Sequence, residues 1–347
     1  MSPTMKAIIY TEPKQSRLVS DRPLPQIREN TVVVKVVAVA LNPTDWKHVA
    51  MGMAKEGCLL GVDYAGTVEQ SNSPEWKKGD RIAGFVHGGN ANNIEDGSFA
   101  EYIVAPLATA LRIPENVSFE EASTLGCGVT TVGQGLFEKD YGLGLNLPTN
   151  PITTPATVLI NGGSSATGTL GIQFAKKAGY TVIATCSPKN FDLARSRGAD
   201  EVFDSRDPAT GKKINEFTQN SLRYAWDCLG GKESGQLCAE ALTTNPGASF
   251  ATIRSTEFPR QDVKYFMTMA YVGIGEDFDK GQSQSRDNQG HAQWQRGFWK
   301  IAHDLLAEGQ LKVHPVRAEK GGLEGVLKGL DELQEGNVSG QKLVYSL

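Results

Sequence analysis

The stretch Thr157-Val-Leu-Ile-Asn-Gly-Gly-Ser-Ser-Ala-Thr-Gly168 decides the fold. It starts as a short apolar strand, continues into a glycine-rich turn, and is followed by Leu170, Phe174 and Ala178 at helical spacing. Free backbone N–H groups and the positive end of a helix dipole converge at such a turn, where they bind pyrophosphate. The stretch therefore predicts a dinucleotide-binding strand–turn–helix unit.

The glycine pattern of this turn departs from the usual one at its middle position. Gly163 and Gly168 are the first and third glycines, and Ser165 stands where the second is expected. Serine is small enough for that position, and Ser164, Ser165 and Thr167 offer hydroxyl groups to phosphate oxygens. The alternative interpretation is an ordinary strand-to-helix turn.

The alternation of strand and helix continues after the turn. Residues 180–185 predict a second strand, residues 190–198 a second helix, and residues 201–203 and 224–227 further strands. Repeated strand–helix units of this kind form a parallel sheet wrapped by helices. We therefore expect an α/β region in the middle of the chain.

The regions on either side have a different character. Up to about residue 120 the chain consists of short strands bounded by Gly and Pro, with Thr31–Ala40 the clearest, and no long helical period, which indicates a mostly antiparallel β unit. Beyond about residue 265 a polar stretch, 275–296, is expected to lack regular structure, whether as a disordered loop or a lid. Helices near 299–306 and 323–333 and a closing strand, 342–345, follow it.

The end of the second strand indicates which dinucleotide binds. NAD sites place a carboxylate about 20 residues beyond the glycines, where it accepts from the ribose 2′-hydroxyl. Here the strand ends Thr185-Cys-Ser-Pro-Lys-Asn190, without a carboxylate, and Asp192 is expected in the first turn of the next helix. Ser187 and Lys189 suit a 2′-phosphate. The sequence therefore favours NADPH over NADH.

Composition excludes several classes of function. The 347 residues carry 35 Lys and Arg against 39 Asp and Glu, a formal net charge of −4, which is not the basic footprint of a protein that binds nucleic acid or anionic lipid. No run approaches the ~18 apolar residues of a membrane helix. The five scattered cysteines include no C-x-x-C pair, so we expect free thiols in a reducing compartment and a cytoplasmic protein without membrane contact.

Several motifs carry a resemblance that covers essentially the whole chain. They are Asn42-Pro-Thr-Asp-Trp-Lys47, Gly61-Val-Asp-Tyr-Ala-Gly66, Gly79-Asp-Arg-Ile82, Gly97-Ser-Phe-Ala-Glu-Tyr102 and the closing Gly340-Gln-Lys-Leu-Val-Tyr345. In this order the chain resembles the medium-chain dehydrogenase/reductase superfamily. The resemblance implies an α/β protein in which a GroES-like, β-rich catalytic domain accompanies a doubly wound Rossmann domain. The implied boundaries are residues 1–120 for the catalytic domain, 121–270 for the Rossmann domain and 271–347 for a segment that completes the catalytic domain.

The zinc ligands of that superfamily are missing from this sequence. Zinc alcohol dehydrogenases carry a cysteine where Asn42 stands and a Gly-His-Glu where Gly61-Val62-Asp63 stands, and the cysteine-rich structural zinc lobe is also lacking. We therefore expect no metal. Without a Lewis acid, conjugate reduction of an activated alkene is easier than alcohol oxidation, because hydrogen-bond donors alone can stabilise the developing oxyanion.

Other segments narrow the resemblance to one branch. Residues 184–204 and 220–228, the Pro- and Gly-rich insert 142–155 and the polar loop 275–296 look like those of the fungal trans-acting enoyl reductases of polyketide synthases, of which the lovastatin type is the best known. The resemblance implies NADPH-dependent reduction of an α,β-unsaturated thioester carried on an acyl carrier protein. It implies a polyketide synthase or hybrid synthetase as partner, and a monomeric chain.

The resemblance also assigns site residues, with Lys47 as the catalytic residue beside nicotinamide and thioester. The implied cofactor-binding residues are Thr44, Asp45, Trp46, Lys47, Ser164, Ser165, Ala166, Thr167, Ser187, Pro188, Lys189, Asn190, Ser205, Thr252, Ile253, Leu343 and Val344. The implied substrate-binding residues are Val132, Gly133, Gln134, Gly135, Leu136, Phe137, Glu138, Lys139, Ala270, Tyr271, Val272, Gly273 and Ile274. Ser205 departs from the family, which often has a tyrosine that contacts the adenosine.

Two other functions remain open from the sequence. One is an NADPH-dependent quinone or alkenal reductase that acts on diffusible molecules, although such enzymes generally lack the 142–155 insert and the 275–296 loop. The other is an NADPH-binding protein without catalysis. Individual residues also have alternative interpretations. Lys47 judged alone fits a solvated lysine, Asn42-Pro43 fits a simple turn, and Trp46 and Phe137 fit core aromatics.

Overall fold

Short apolar segments bounded by turn residues form fifteen strands in the computed structural model, which describes residues 3–277 and 288–347. The strands are β1 Thr4–Thr11, β2 Gln15–Pro23, β3 Thr31–Ala40, β4 Asp63–Ser71, β5 Arg81–Phe85, β6 Tyr102–Pro106, β7 Ala110–Arg112, β8 Thr157–Asn161, β9 Thr181–Cys186, β10 Glu201–Asp204, β11 Tyr224–Asp227, β12 Ser249–Thr252, β13 Lys264–Met267, β14 Val316–Glu319 and β15 Lys342–Ser346.

Nine α-helices lie between these strands in the same described ranges. They are α1 Pro43–Ala50, α2 Phe119–Ser123, α3 Gly126–Val132, α4 Ala166–Lys177, α5 Phe191–Ser196, α6 Thr210–Phe217, α7 Lys232–Ala241, α8 Asn288–Ala307 and α9 Gly322–Gln334. A π-helical turn, Gly133–Phe137, continues α3, and short 3₁₀ turns cover Leu107–Thr109, Pro188–Asn190 and Ala270–Ile274. None of the described helices combines the length and apolar character needed to cross a bilayer.

The chain divides into two units. Unit 1 comprises residues up to 130 and from 270 onward, and unit 2 comprises residues 131–269. Unit 1 contains a mixed seven-stranded sheet of order β14-β15-β3-β4-β5-β7, with β6 paired to β3, and the hairpin β1-β2. Its largest core packs buried side chains of β1, β3, β4 and β6 against α9. This confirms the predicted β unit.

Unit 2 contains a six-stranded sheet of order β10-β9-β8-β11-β12-β13 in which every neighbouring pair is parallel. The strand order reverses direction at β8, the strand that enters the glycine-rich turn. In open parallel sheets a ligand binds at such a switch point, beyond the carboxyl ends of the strands. The predicted α/β fold class, a GroES-like unit with a Rossmann-type parallel sheet, is confirmed.

One helix was not predicted, and one prediction is wrong. The short helix α1 in the first region was not predicted, because five of its eight residues, Thr-Asp-Trp-Lys-His, are polar or amphipathic and give no clear apolar period. The stretch 275–296 is not structureless throughout, since α8 begins at Asn288 and buries Ala292 and Gln295. Its central part, residues 278–287, lies outside the described residues.

Candidate functional site

The glycine-rich turn of unit 2 has the geometry of a phosphate cradle. Gly162 adopts φ +83, where a side chain is strained and a Cβ would lie 2.8 Å from Leu229. A Cβ on Gly168 would lie 2.2 Å from the Gly162 carbonyl oxygen. The turn therefore brings strand and helix backbones closer than side chains permit. The N–H groups of Ala166 and Thr167, in the first turn of α4, have no acceptor within the helix, so they are suited to an anion, whereas the Gly168 N–H donates to Ser165.

Ser165 has a structural role that the sequence did not reveal. It is the N-cap of α4, its Oγ accepts from the Gly168 N–H at 3.0 Å, and its hydroxyl donates to the Gly162 carbonyl at 2.7 Å. Its hydrogen-bonding capacity therefore stabilises the turn itself. That the hydroxyls of Ser164 and Thr167 contact phosphate stays a prediction.

A buried polar network supports the turn from the strand ends. Asn161 donates to Asp227 Oδ1 at 3.0 Å and to Ser234 Oγ at 2.8 Å, and it accepts from the hydroxyl of Thr185. Thr185 Oγ1 also accepts from the Gly162 N–H at 3.3 Å. Sequence reasoning missed these residues, although a polar residue at the last position of an apolar strand was the signal available.

The tightness of the turn gives the first prediction. Gly168→Ala forces a Cβ against backbone, and such overpacking costs about 1–3 kcal/mol in the free energy of unfolding. Gly297→Ala in α8 is the matched control, because its Cβ meets nothing within 4 Å and the helix gains up to about 1 kcal/mol. Urea denaturation of both variants measures the difference. Equal stability of the two variants would contradict the close approach.

The residues predicted for the 2′-phosphate lie beside this turn. Asn190 Nδ2 donates to Ser164 Oγ at 3.2 Å and to Ser187 Oγ at 3.3 Å, so it joins the turn to the end of β9. Lys189 is exposed, and Asp192 lies in the first turn of α5 as expected. Ser205 donates its backbone N–H to the Cys186 carbonyl at 3.0 Å, which places it at the same strand end.

The remaining predicted residues of unit 2 lie at other positions. Thr252 ends β12, where it is buried and donates to the Arg254 carbonyl, and Ile253 follows it. The π-helical turn contains five of the predicted substrate residues, and all five are buried. Gln134 accepts from the Met269 N–H at 2.7 Å, and a Cβ on Gly135 would lie 2.3 Å from Trp226. Gly135 therefore serves packing, and Lys139 is exposed.

Unit 1 holds a buried ion cluster centred on Lys342. Lys342 is only 3% exposed. Its ammonium donates to Asp63 Oδ2 at 2.5 Å, to Asn42 Oδ1 at 2.9 Å and to the Thr124 carbonyl at 3.2 Å. Asp63 is fully buried and also accepts from the Cys127 N–H at 2.5 Å. Asn42 and Asp63 stand where the zinc enzymes carry a cysteine and a glutamate. In this chain both side chains accept a hydrogen bond from the Lys342 ammonium.

Asn42 is also the N-cap of α1. Its backbone N–H donates to Asp45 Oδ2 at 2.7 Å, in the arrangement of a capping box. Asp45 is 2% exposed, so its side chain, expected at the cofactor, acts in the helix cap. Burial raises the pKa of the Asp45 carboxyl well above its usual range, and the neighbouring Asp63 carboxylate raises it further.

A second cluster brings a predicted cofactor residue to a predicted substrate residue. Thr44 Oγ1 lies 2.9 Å from the hydroxyl of Tyr271, and the Tyr271 ring stacks on His87 with centroids 4.0 Å apart. His48 Nδ1 lies 2.8 Å from the Thr44 carbonyl. Burial raises the pKa of the Tyr271 hydroxyl well above its usual range, so it stays protonated. His48 and His87 were not predicted.

The other predicted residues of unit 1 are half-buried or lie in its cores. The Lys47 ammonium lies 5.5 Å from the centroid of the Trp46 ring, and both residues are half-buried. Leu343 and Val344 are each 1% exposed and pack in hydrophobic clusters. Within residues 3–277 and 288–347 no three His, Cys, Asp or Glu side chains gather as metal ligands do. The metal-free site remains a prediction.

Known proteins are similar to this chain in sequence and in fold. Residues 28–115 match the alcohol dehydrogenase GroES-like domain, and residues 166–253 match the zinc-binding dehydrogenase family. The trans-enoyl reductase resD of Aspergillus sclerotiorum is 44% identical over 98% of this chain and 99% of its own length. The trans-enoyl reductase ACTTS2 of Alternaria alternata is 41% identical over 95% of both chains.

A solved structure extends the comparison to the fold. Mycobacterial Rv1454c, in complex with NADPH, superposes with a TM-score of 0.74 at 20% identity, covering 99% of this chain and all of that one. Identity this low supports the fold alone, whereas the identity to resD and ACTTS2 over nearly full length supports the family. The chain is an oxidoreductase of the medium-chain dehydrogenase/reductase superfamily and belongs to its fungal trans-enoyl reductases.

Proposed function

We propose that this chain is an NADPH-dependent enoyl reductase that acts on an α,β-unsaturated thioester presented by the acyl carrier protein of a polyketide synthase or hybrid synthetase. The Asn42–Asp63–Lys342 cluster is the observation that carries the proposal, because it fills two positions of a zinc site with a lysine-centred ion cluster. Reduction of an activated alkene needs donors at a carbonyl oxygen and does not need a metal.

The cradle of unit 2 fits the pyrophosphate of a nicotinamide dinucleotide. Its glycines leave the turn free of side chains. The N–H groups of Ala166 and Thr167 and the hydroxyls of Ser164 and Thr167 are suited to bind phosphate oxygens. When bound, the reduced nicotinamide supplies a hydride for the β-carbon of the alkene. The NADPH of Rv1454c supports a nicotinamide cofactor in this fold.

The residues of unit 1 supply the polar groups for the reaction. Thr44 and Lys47 are three positions apart on α1 and therefore share one face of that helix. The Lys47 ammonium is the donor we assign to the thioester carbonyl oxygen, where negative charge develops as the β-carbon is reduced. The cap and the bond from Lys342 to Asn42 fix the start of α1 and so orient Thr44 and Lys47. The α-carbon then takes a proton, which completes the reduction.

Preference for NADPH over NADH is the part of the proposal that Lys189 tests. Lys189→Ala removes an exposed cation next to Ser187 and Asn190, and we expect a rise of about tenfold in the Kd of NADPH, equivalent to about 1.4 kcal/mol, with the Kd of NADH unchanged. Lys212→Ala, on α6, is the control for loss of one exposed positive charge. Isothermal titration of both nucleotides measures the effect, and equal weakening of NADH binding would contradict it.

We include a monomeric state in the proposal. The edge strand β13 begins with an exposed lysine, Lys264, and charged side chains on an edge strand oppose pairing with a second sheet. A molar mass of 37.4 kDa from static light scattering supports a monomer, and twice that mass contradicts it.

The reaction itself is tested by following NADPH consumption with crotonyl and methylcrotonyl thioesters and with a benzoquinone. We expect turnover of an enoyl thioester that exceeds turnover of the quinone. Rapid quinone reduction without turnover of any enoyl thioester would instead establish a quinone reductase. Tight NADPH binding without turnover of any acceptor would establish a binding protein without catalysis.

A further inference from the structure

An apolar groove with a charged rim lies on unit 1, between α8 and the segment that contains β7. Its volume is about 570 Å³, and its floor includes Leu107, Leu111 and Trp299, all buried. Trp76 forms part of its wall and lies under the guanidinium of Arg112, 4.8 Å from the ring centroid. An apolar floor between polar edges is the general form of a groove that receives a helix.

The charges that line this groove are mainly positive, although the whole chain carries a net charge of −4. Arg112, Arg296 and Lys300 line it together with a single carboxylate, Glu75. Arg296, Lys300 and His303 are spaced by four and three residues on α8, so they lie along one face of the helix. The groove is therefore suited to a negatively charged surface.

Each of these cations already has a carboxylate neighbour at the surface. Arg112 pairs with Asp80 at 2.8 Å, Lys300 pairs with Asp304 at 2.6 Å, and Arg296 pairs with Glu75. Asp80 and Asp304 do not line the groove, whereas Glu75, the partner of Arg296, does. Exposed ion pairs contribute little to stability, so the cations can exchange these contacts for carboxylates of a partner.

Gly297 gives independent support, because no contact within the described residues of unit 1 requires a glycine there. It lies in the interior of the 20-residue helix α8, is exposed, and lines the groove between Arg296 and Lys300. A Cβ at this position would meet none of the described residues within 4 Å. Glycine inside a helix is less stable than alanine, so a glycine without a packing reason in its own chain suits the close approach of another backbone.

The buried side chains of α8, including Trp299 in the groove floor, connect the groove to the predicted substrate segment. Gln295 Nε2 donates to the Thr130 carbonyl at 2.8 Å, and Trp299 Nε1 donates to Thr130 Oγ1 at 3.1 Å. Gly273 lies in the 3₁₀ turn that contains Tyr271, and a Cβ at this position would lie 2.5 Å from the Gln295 side chain, so the turn packs closely against α8. A protein held on the outer face of α8 therefore contacts the same helix that supports this turn.

We propose that this groove docks an acidic helix of the protein that carries the substrate thioester. The inference rests on the proposed function and adds the surface and the chemistry of the partner. The helix lies along α8, its apolar side faces Leu107 and Trp76, its carboxylates pair with Arg112, Arg296 and Lys300, and its backbone approaches Gly297. Complementary charge of this kind directs encounter and sets orientation.

The test compares two forms of one substrate. The probes are a crotonyl thioester on a free-standing acyl carrier protein, which is acidic and helical, and the diffusible N-acetylcysteamine thioester of the same acid. For the double variant Arg296→Glu/Lys300→Glu, we expect the KM of the carrier-borne substrate to rise at least tenfold and to lose its dependence on salt. The KM and kcat for the diffusible thioester should stay within twofold.

Two further variants separate docking from net charge and from folding. Lys212→Glu/Lys232→Glu changes the charge of exposed lysines in unit 2 by the same amount and should leave both substrates unaffected. Gly297→Leu keeps every charge but fills the close approach, and we expect it to raise the KM of the carrier-borne substrate alone. Gly297→Ala should raise the melting temperature.

Two results overturn the docking proposal. One is an unchanged KM for the carrier-borne substrate in both groove variants, and the other is equal impairment by the control pair. If the wild-type chain turns over neither thioester, the proposed function fails, and docking is then judged from titration of the carrier protein alone. Wild-type binding that the groove variants abolish supports the surface, and absence of binding contradicts it.

Discussion

Lys342→Met is expected to lower the free energy of unfolding by about 3–5 kcal/mol, because it removes the ammonium from a buried ion pair and leaves the Asp63 carboxylate without it. Asp63 is fully buried, and among the described residues the Cys127 N–H is its other hydrogen-bond donor. Asn42 and the Thr124 carbonyl lose a donor at the same time. Urea denaturation followed by fluorescence measures the loss.

Two controls separate burial of charge from loss of a lysine. Lys213→Met breaks an exposed ion pair with Asp207 and should change stability by no more than about 1 kcal/mol. Lys342→Met combined with Asp63→Asn removes both charges and should recover part of the loss. If Lys342→Met is no more harmful than Lys213→Met, the ion cluster does not hold the start of α1.

Lys47→Ala is expected to reduce kcat for an enoyl thioester by about 10²–10³-fold, the usual effect of removing one donor from a developing oxyanion. The Kd of NADPH should change far less, because the turn proposed to bind pyrophosphate is in unit 2. Stopped-flow turnover and nucleotide titration measure the two quantities separately.

The control for this variant is an exposed lysine in the same unit. Lys55→Ala removes an equal charge shortly after α1 and should leave kcat unchanged. Lys47→Arg keeps the charge and a donor, so it should recover part of the activity. If kcat of Lys47→Ala stays within twofold of wild type, Lys47 is not the catalytic donor.

Features encoded by contiguous residues were predictable. The β-branched run Thr31–Ala40 is β3 over its whole length, and the glycine-rich turn joins β8 to α4 as expected. Asp192 lies in the first turn of α5 because the strand ends before Pro188 and a new helix starts there. Periodicity and turn residues act locally, so a single sequence reveals them.

Features that depend on contacts across the fold were not predictable. Lys342 lies 300 positions from Asn42 in sequence, and a lone lysine in a closing strand would ordinarily face solvent. The first part of α8 was expected to be irregular because its polar residues hide the buried face that Ala292 and Gln295 form. Tyr271 was expected at the substrate, but its bond to Thr44 and its stacking on His87 require the tertiary structure.

We propose that the chain reduces the alkene of an enoyl thioester with hydride from NADPH. The most direct measurement uses NADPH that carries deuterium in its transferable position, a crotonyl thioester, and mass spectrometry with NMR of the product. We expect a saturated thioester with one deuterium on the β-carbon. An alkene that remains intact, or deuterium on any other carbon, would contradict it.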